Sequence, residues 1–361
     1  MMKTDGLGMT RTEDLTDWLY QLPDLPRAPL VQFPTPIHQL ADFGALLDGP
    51  ELWIKRDDLT GLAGGGNKSR KLEFLVGDAL RSGADTLVTV GAIQSNHTRQ
   101  TAAAAAKTGL RCALLHCAWT RDAGTGYRQV GNILFSSILG ADLYADNRER
   151  PIEDKSPLAD LVEKLRQQGR KPYPIPGGGS DHRLGSMGYV ACAAEIVRQS
   201  LELGFRFDYV LHCTGSSSTQ AGLLAGFAAL GTGTRVIGVS DDAETEIKKA
   251  RVLRLANETL ETLGMTERVS PEDVEIVAAT SDPYGVASED VLEGIRLLAR
   301  SEGLMADPVY EGKAIRGLLN LANEGRFEAG SRILFMHLGG DPAVHAYASQ
   351  FPPIELKRFE A

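Results

Sequence analysis

The residue best placed for covalent chemistry is a lysine that follows a run of glycines. Lys68 comes directly after Gly-Gly-Gly-Asn at positions 64–67 and opens a segment with the spacing of an amphipathic helix. An amine that forms a Schiff base must be held in one place, near groups that favour its neutral form. Glycines let the backbone approach a ligand closely. The pattern indicates a covalent cofactor anchor, and the competing interpretation is a solvated lysine at a helix start.

A loop rich in glycine and hydroxyl groups is the second candidate site. The apolar run 207–211 predicts a strand, and the small-residue segment after Gln220 predicts a helix. Such a loop offers backbone N–H groups, hydroxyls and the positive end of a helix dipole to an anion. It lacks the spacing of a P-loop or of G-x-G-x-x-G, so a compact monophosphate fits better than a nucleotide. The alternative interpretation is an ordinary turn between a strand and a helix, with residues that cap the helix. The residues of this loop are Gly215, Ser216, Ser217, Ser218 and Thr219.

A third segment repeats the order of strand, polar loop and helix. The strand is predicted over 86–90 and the helix through 102–106. Open α/β sheets bind their ligands beyond the carboxyl ends of parallel strands. Ser95, Asn96 and His97 therefore form a candidate binding loop, or else they cap the alanine-rich helix.

Together the three segments resemble pyridoxal-phosphate enzymes of fold type II, in particular the group of 1-aminocyclopropane-1-carboxylate deaminase, D-cysteine desulfhydrase and L-cysteate sulfo-lyase. The resemblance runs from about residue 34 to residue 347. It implies an α/β protein like the tryptophan synthase β subunit, with two open twisted parallel-sheet domains and the cofactor in the cleft between them. The motifs that carry it, in order, are Ile54-Lys55-Arg56-Asp57-Asp58, Gly65-Gly66-Asn67-Lys68, Arg70-Lys71-Leu72-Glu73, Gln94-Ser95-Asn96, Gly131-Asn132, Asp307-Pro308-Val309-Tyr310 and His337-Leu338-Gly339-Gly340.

The resemblance also implies roles for individual residues. Lys68 would hold the aldehyde of pyridoxal 5'-phosphate, Asn96 would hydrogen-bond its phenolic oxygen, and Gly215 to Thr219 would bind its phosphate. Glu311 and Leu338 would also contact the cofactor, and Lys68, Ser95 and Tyr310 would be catalytic. The substrate-binding residues would be Ser95, Asn96, His97, Trp119, Tyr284 and Tyr310.

Two positions favour one member of the group. Deaminases carry the pair found here, Glu311 and Leu338, whereas D-cysteine desulfhydrases tend to have a small hydroxyl residue and threonine. A carboxylate beside the pyridine nitrogen favours the protonated ring, which makes a stronger electron sink. Three residues depart from the deaminase pattern. His97 stands where deaminases usually have glutamine, and Asp341 is unusual after the glycine pair. Arg183 replaces a proline, and its side chain either lies in solvent or binds an anionic substrate tail.

The expected activity is therefore conversion of the cyclopropane amino acid to 2-oxobutanoate and ammonia. The alternative activities are those of D-cysteine desulfhydrase and L-cysteate sulfo-lyase, which release pyruvate, ammonia and sulfide or sulfite. A catalytically silent binding protein on the same fold is an alternative of another class, although the presence of Lys68, Ser95 and Tyr310 argues against it. A nucleotide-dependent oxidoreductase would need G-x-G-x-x-G, which the sequence lacks.

Composition sets further expectations for the 361-residue chain. A net charge of −9 argues against nucleic acid or an anionic membrane as a partner. The four cysteines have no disulfide or metal-ligand spacing, so no metal is expected. The N-terminal stretch contains Asp5, Glu13 and Asp14 and has no apolar signal core, which makes the cytoplasm the default location. The resemblance implies a homodimer or larger homo-oligomer that acts on a small amino acid.

Alternation of strand and helix patterns predicts parallel sheets covered by helices. The division expected is a large cofactor-binding domain of residues 1–70 and 180–361, with a smaller α/β domain, 71–179, inserted into it. Gly177 to Ser180 would be the point where the chain crosses between them. Trp18, Leu19 and Tyr20 are expected to pack on the body of the protein or on a neighbouring subunit.

Overall fold

Two open sheets, one of six strands and one of four, form the framework of residues 12–359, which the computed structural model describes. The strands are β1 (Ile37–Gln39), β2 (Glu51–Arg56), β3 (Thr86–Gly91), β4 (Arg111–Cys117), β5 (Asp142–Asp146), β6 (Pro172–Ile175), β7 (Tyr209–Thr214), β8 (Arg235–Ser240), β9 (Glu275–Ala278) and β10 (Arg332–His337). The helices are α1 (Thr12–Gln21), α2 (Ala41–Gly44), α3 (Asn67–Arg81), α4 (Asn96–Thr108), α5 (Gly131–Ile138), α6 (Ser156–Gln167), α7 (Met187–Leu203), α8 (Ser218–Leu230), α9 (Thr245–Thr262), α10 (Glu289–Glu302) and α11 (Glu311–Asn323).

The larger sheet has the order β1-β2-β10-β7-β8-β9 and the smaller has the order β5-β4-β3-β6. Every pairing is parallel except that of β1 with β2. Parallel strands end at the same edge of a sheet, and that edge is where open α/β sheets bind ligands. The loops after β3 in one sheet and after β7, β8 and β10 in the other are therefore the ones that can build a site.

Helices cover the central strands, and the apolar runs of those strands follow from that burial. All six residues of β7 are buried, as expected for a parallel strand covered on both faces. Helices α7 and α8 pack closely because α8 carries glycines at the contact. A Cβ at Gly222 would lie 2.3 Å from the Ser186 carbonyl oxygen, and one at Gly226 would lie 2.6 Å from Ala193 Cβ.

The predicted fold class is confirmed, since both sheets are open, predominantly parallel and flanked by helices. The chain passes from β6 of the smaller sheet to α7 and β7 through the 3₁₀ turn Gly177–Gly179, at the predicted crossing. The domain boundaries at 70/71 and 179/180 remain a prediction, and the outermost residues, 1–11 and 360–361, lie outside the described residues.

The N-terminal segment packs as expected on the body of the protein. Leu19 of α1 is fully buried in the main core, and Trp18 and Tyr20 pack against it. Asp5, on which the expectation of no signal segment depended, lies outside the described residues. Among residues 12–359 no helix is long and apolar enough to cross a membrane. The four cysteines are buried and free, as predicted for small apolar core residues.

Candidate active site

A cavity of about 550 Å³ lies where the loops of the two sheets meet. Its size suits a small cofactor with a small substrate. Ser218, the first residue of α8, is the one predicted site residue that does not line the cavity. The other predicted site residues all line the cavity: Lys68, Ser95, Asn96, His97, Trp119, Gly215, Ser216, Ser217, Thr219, Tyr284, Tyr310, Glu311 and Leu338.

Lys68 lies in the first turn of α3, directly after the glycine run, and its half-buried side chain lines the cavity. The tight approach needs glycine, because a Cβ at Gly65 would overlap the Asp58 carbonyl oxygen at 1.8 Å. Burial lowers the pKa of the Lys68 amine to about 8, although Cys213 and Asp241 oppose the shift. About a tenth of this amine is therefore neutral, and hence nucleophilic, at pH 7, far more than for an ordinary lysine.

A buried ion-pair network fixes the helix that carries Lys68. Arg70 Nη2 lies 2.7 Å from Asp57 Oδ1, and Arg70 Nη1 lies 2.9 Å from Glu195 Oε2. Lys55 Nζ contacts the other oxygen of Glu195 at 2.7 Å. The network joins β2, the turn after it, α3 and α7. Removing one member of such a buried ion pair lowers the free energy of unfolding by about 3–5 kcal/mol. Since Arg70 is two residues beyond Lys68, the network holds the first turn of α3 in place.

Basic groups surround the amine of Lys68 on its buried side. We call Lys68, Lys71, His97 and His212 the basic cluster. Burial lowers the pKa of Lys71 and of His97 well below the ordinary values, and lowers that of His212 to about 4; the lysine charges add to these shifts. None of the four forms an ion pair within residues 12–359. The cluster therefore favours neutral side chains.

The hydrogen bonds of His97 identify its tautomer. Thr89 donates its hydroxyl hydrogen to the carbonyl oxygen of Ile175 at 2.7 Å. His97 Nε2, 2.8 Å from the same hydroxyl oxygen, must therefore be the donor of that contact. Because His97 is neutral, its Nδ1 is an acceptor, and this buried atom has no partner in the described part of the chain. His97 thus adds an unused acceptor to the wall of the cavity.

Ser95 and Asn96 begin α4 and are held by different means. Ser95 Oγ accepts the backbone N–H of Thr98 at 3.3 Å, so this serine does cap the helix as well as line the cavity. Asn132 Nδ2 donates to Asn96 Oδ1 at 2.8 Å, and Arg99 Nε donates to Asn132 Oδ1 at 2.6 Å. With its oxygen occupied in this way, Asn96 is left with its amide nitrogen as a donor for a ligand oxygen.

The loop between β7 and α8 has the properties of an anion site. Its buried hydroxyls of Thr214, Ser217 and Ser218 have no partner in the described part of the chain. Ser217 adopts φ +75°, a left-handed conformation that is costly outside glycine and is found mainly at functional sites. The positive end of α8 starts at the next residue. Unpaired hydroxyls at a helix N-terminus fit a phosphate group well.

An ion pair borders this loop on its other side. Lys248 Nζ lies 2.6 Å from Asp241 Oδ1, donates to Ser240 Oγ at 2.8 Å and also contacts Asp242. A Cβ at Gly215 would lie only 2.3 Å from Asp241 Oδ2. The glycine is thus required for the loop to lie against the carboxylate, and Lys248 offsets the negative charge there.

Two tyrosines form a hydroxyl pair in the cavity wall. Tyr310 Oη and Tyr284 Oη are 2.6 Å apart. Burial raises the pKa of each phenol, and the contact between the two tyrosines raises that of Tyr310 further. Both therefore stay protonated at neutral pH, and one of them has a hydroxyl hydrogen to donate to a bound substrate.

Glu311, the first residue of α11, is the most unusual group in the wall. Its side chain is fully buried, and neither carboxyl oxygen has a hydrogen-bond partner in the described residues. Burial, reinforced by the nearby Asp307, raises its pKa well above the ordinary value. A buried carboxyl without partners holds its proton and is suited to a ligand nitrogen. We call Asp307, Glu311 and Asp341 the acidic cluster.

Exposed ion pairs lie across the mouth of the cavity. Asp181, next to the crossing turn, contacts Lys155 with one oxygen and Arg254 of α9 with the other, the latter at 2.9 Å. Arg251 of α9 lies 3.7 Å from Glu153. These five residues also line the cavity. The pairs connect the loop before α6, in the smaller sheet region, to a helix that packs on the larger sheet.

The departures from the deaminase pattern occupy different places. Arg183 is exposed and bonded to Asp78 at 3.2 Å, and it does not line the cavity. His97 does line it. No individual role was predicted for Lys71, His212 or Asp241. Lys71 could have been found, because it lies three residues beyond Lys68 and so on the same helix face, whereas the other two reach the site only through strand order.

Comparison with known proteins agrees with this architecture. Residues 29–339 match the family model described as pyridoxal-phosphate dependent enzyme. The chain is 45% identical over 329 residues to the 1-aminocyclopropane-1-carboxylate deaminase of Ralstonia pickettii (strain 12J), covering 90% of this chain and 97% of that protein. It is 47% identical over 331 residues to the protein of the same name from Burkholderia cenocepacia (strain ATCC BAA-245), with the same coverage of both chains. A solved structure described as an ACC deaminase homologue matches with a TM-score of 0.83 and 36% identity, covering 95% of this chain and 98% of that one.

The two-sheet fold and a lysine-bearing cleft define an α/β enzyme with its cofactor held between two sheets. The chain belongs to the family of pyridoxal-phosphate dependent enzymes. The residues present fit that cofactor, because the unpaired hydroxyls of the loop after β7 suit its phosphate and the unpaired carboxyl of Glu311 suits its ring nitrogen. No group of histidine, cysteine or acidic residues suited to a metal ion occurs within residues 12–359.

Proposed function

We propose that the protein is a 1-aminocyclopropane-1-carboxylate deaminase that releases 2-oxobutanoate and ammonia. The observation that carries this proposal is Glu311, a buried carboxyl in the cavity wall that makes no hydrogen bond within the described residues, accompanied by Leu338. Opening a cyclopropane that has no α-hydrogen demands a strong electron sink, and a carboxyl group at the ring nitrogen supplies one. The names of the relatives support the same substrate.

The cofactor, when bound, supplies an electron sink for the bonds of the substrate. In our proposal Lys68 anchors it and then carries a proton, since an amine with a pKa of about 8 can both release and accept one near neutral pH. Asn96 donates to its oxygen, and the loop Gly215 to Thr219 binds its phosphate. Glu311 holds the proton at its ring nitrogen.

The remaining residues act on the substrate. Ser95 and Asn96 bind its carboxylate, and Tyr310, hydrogen-bonded to Tyr284, provides the hydroxyl that attacks the ring or transfers a proton to it. Trp119 covers the cavity from the smaller sheet region, and the ion pairs at the mouth limit access of water.

D-cysteine desulfhydrase activity is the second candidate, and His97 is the observation that favours it. Its unpaired Nδ1 lies in the wall where a deaminase usually has glutamine. A sulfonate substrate receives less support, because Arg183 is bonded to Asp78 at the surface.

In the test, three compounds are added in parallel to the cofactor-loaded protein: 1-aminocyclopropane-1-carboxylate, D-cysteine and L-cysteate. The keto acid released from each compound is then identified. We expect 2-oxobutanoate from the first compound. Pyruvate from a sulfur substrate alone would overturn the proposal in favour of a desulfhydrase or a sulfo-lyase. A protein that binds the cofactor and releases no keto acid from any of the three would be a binding protein on this fold.

We also propose a homodimer or larger homo-oligomer in the cytoplasm, on the resemblance to the group alone. Light scattering of the purified protein measures its mass in solution, and cell fractionation measures its location. A monomer of 38.9 kDa would contradict the first part of this proposal.

A further inference from the structure

A buried aspartate holds the turn that carries Tyr310 and Glu311. Asp307 Oδ1 accepts the backbone N–H groups of Val309 and Tyr310, each at 2.9 Å. Its Oδ2 accepts the N–H of Glu311 at 3.2 Å. Asp307 is fully buried and does not line the cavity. One carboxylate therefore sets the backbone of two residues that do line it.

The surroundings leave this carboxylate little freedom. A Cβ at Gly340 would lie 2.3 Å from Asp307 Oδ2, so the loop after β10 can pass there only as glycine, at φ +118°. The backbone of Asp307 is held as well, because its carbonyl oxygen accepts the N–H of Gly312 at 2.8 Å. Side chain and main chain together hold the turn on both sides of Tyr310.

The charge of this residue also reaches Glu311. Asp58 and Asp341 act on Glu311, and Asp341 also acts on Asp307. The positive groups that face the pair are Arg99 of α4, which interacts with Asp307, and Lys68 of α3, which interacts with Glu311. The buried thiol of Cys213 interacts with both carboxyls. Asp307 is stabilised as an anion by its three N–H donors, whereas in the described residues neither oxygen of Glu311 makes a full hydrogen bond and only the backbone N–H of Leu338 acts on it. When both compete for one proton, the proton therefore resides on Glu311.

We propose that Asp307 is a positioning residue that fixes the Tyr310 hydroxyl and the Glu311 carboxyl toward the cavity and keeps the proton on Glu311. This inference rests on the proposed function for its turnover readout alone. In Asp307→Asn, an amide N–H₂ group faces at least one backbone N–H, and the negative charge beside Glu311 is lost.

Glu73 provides a matched control. It is also a buried carboxylate, and its Oε1 accepts the backbone N–H groups of Leu30 and Val31 at 3.0 Å each, away from the cavity. Glu73→Gln also replaces a buried carboxylate by an amide, and in addition it breaks the 2.7 Å ion pair of Glu73 with Arg27, which makes it the more severe of the two changes to the fold. The backbone groups that Glu73 holds belong to no residue of the cavity wall. Any general effect of losing a buried carboxylate appears in both variants.

The experiment compares the two variants with the unmodified protein, first without cofactor and then loaded. In D307N we expect faster amide hydrogen exchange at residues 309–311 in the cofactor-free protein. In the loaded protein we expect a shifted pH midpoint of the visible absorbance band and a fall in kcat of about 10- to 100-fold with a smaller change in KM. E73Q should change none of these, whatever its loss of thermal stability.

Identical behaviour of D307N and E73Q in exchange, absorbance and kcat would overturn the proposal. If D307N does not fold, Asp307→Ser keeps an acceptor oxygen and removes the charge, and the same outcomes apply. Exchange and absorbance do not depend on the substrate. A protein that fails to produce 2-oxobutanoate therefore refutes the proposed function and leaves the role of Asp307 to these two measurements.

Discussion

Lys68 and His97 of the basic cluster and Glu311 of the acidic cluster line the same cavity. Burial lowers the pKa of the amines and imidazoles in the first and raises the pKa of the carboxyls in the second. The clusters differ in how their members are bonded. In the acidic cluster Asp307 accepts three backbone N–H groups, whereas neither oxygen of Glu311 makes a full hydrogen bond within residues 12–359. In the basic cluster the unused atoms are acceptors, Nδ1 of His97 and Nε2 of His212.

This difference shows how a folded chain can hold a neutral base and a neutral acid at the same pH. Exclusion of water works against charge of either sign. Local hydrogen bonds then decide which member of a cluster keeps the remaining charge. In water, with ordinary pKa values near 10.4 for lysine and 4.3 for glutamate, both groups would be ionised at neutral pH.

The largest effect should come from Lys68→Ala. Without the amine the protein cannot anchor its cofactor, so we expect the visible absorbance band to vanish and turnover to fall by at least about 10³-fold. Absorption spectra and keto-acid release measure both quantities. Lys107→Ala, at an exposed lysine near the end of α4, should leave both unchanged. A retained band in K68A would contradict the assignment of the anchor.

Glu311→Gln tests the acidic side. The amide cannot hold the ring-nitrogen proton as a carboxyl does, so kcat on the cyclopropane substrate should fall by about 10- to 100-fold. The cofactor-free protein should gain stability. The pKa of Glu311 is higher in the folded state than in the unfolded state, where it is near 4.3. Its contribution to the free energy of unfolding therefore falls as the pH rises above about 4.3. Glutamine does not ionise, so E311Q does not lose stability in this way.

The gain should be about 1 kcal/mol at pH 8 and should largely disappear at pH 4, where Glu311 is protonated in the folded state and mostly protonated in the unfolded state. Urea unfolding at the two pH values measures it. Equal stability of E311Q and the unmodified protein at pH 8 would mean that Glu311 is not held neutral in the fold.

The basic side should be visible in the pH dependence of cofactor uptake. Only the neutral amine reacts, so the rate at which the cofactor-free protein takes up pyridoxal phosphate should rise with pH and level off above about 8. An ordinary lysine would give a rise that continues to about pH 10. Stopped-flow absorbance distinguishes the two profiles, and a midpoint near 10 would show that burial does not lower the pKa of Lys68.

The smallest effect expected is that of His97→Gln. Glutamine can donate to Thr89 as the imidazole does, while it presents a different group to the cavity. We expect the ratio of cyclopropane to D-cysteine turnover to rise by about three- to tenfold, since one polar contact in a pocket discriminates to roughly that extent. The paired turnover assay measures this ratio. No change would show that His97 does not contribute to specificity.

Short-range patterns were sufficient to predict much of the framework. The strand predicted over 86–90 is β3, which ends one residue later because its pairing with β4 continues through Gly91. The helix predicted through 102–106 is α4, which begins earlier, at Asn96, because Ser95 caps it there. Residues at strand-to-helix loops were found for the same reason, since a loop after a buried strand is a local signal.

Partners distant in sequence were not predictable. Glu195 meets Arg70 across 125 positions, and nothing near either residue indicates the other. Asn132 was named only as part of a motif, although it orients Asn96. Asp307 likewise gained a role only when the backbone of the following turn was seen to donate to it. Such contacts depend on the order of the strands, which local patterns do not determine.

The ion pairs at the cavity mouth give the protein a dependence on ionic strength. Asp181 serves both Lys155 and Arg254, and all three are partly exposed to solvent. At physiological salt the Debye length is about 8 Å, so dissolved ions weaken such exposed pairs. Since these contacts join the two sheet regions without holding the cofactor, added salt should speed both the arrival and the departure of small molecules. The rate at which small molecules pass through this opening then depends on the salt concentration as well as on the shape of the cavity.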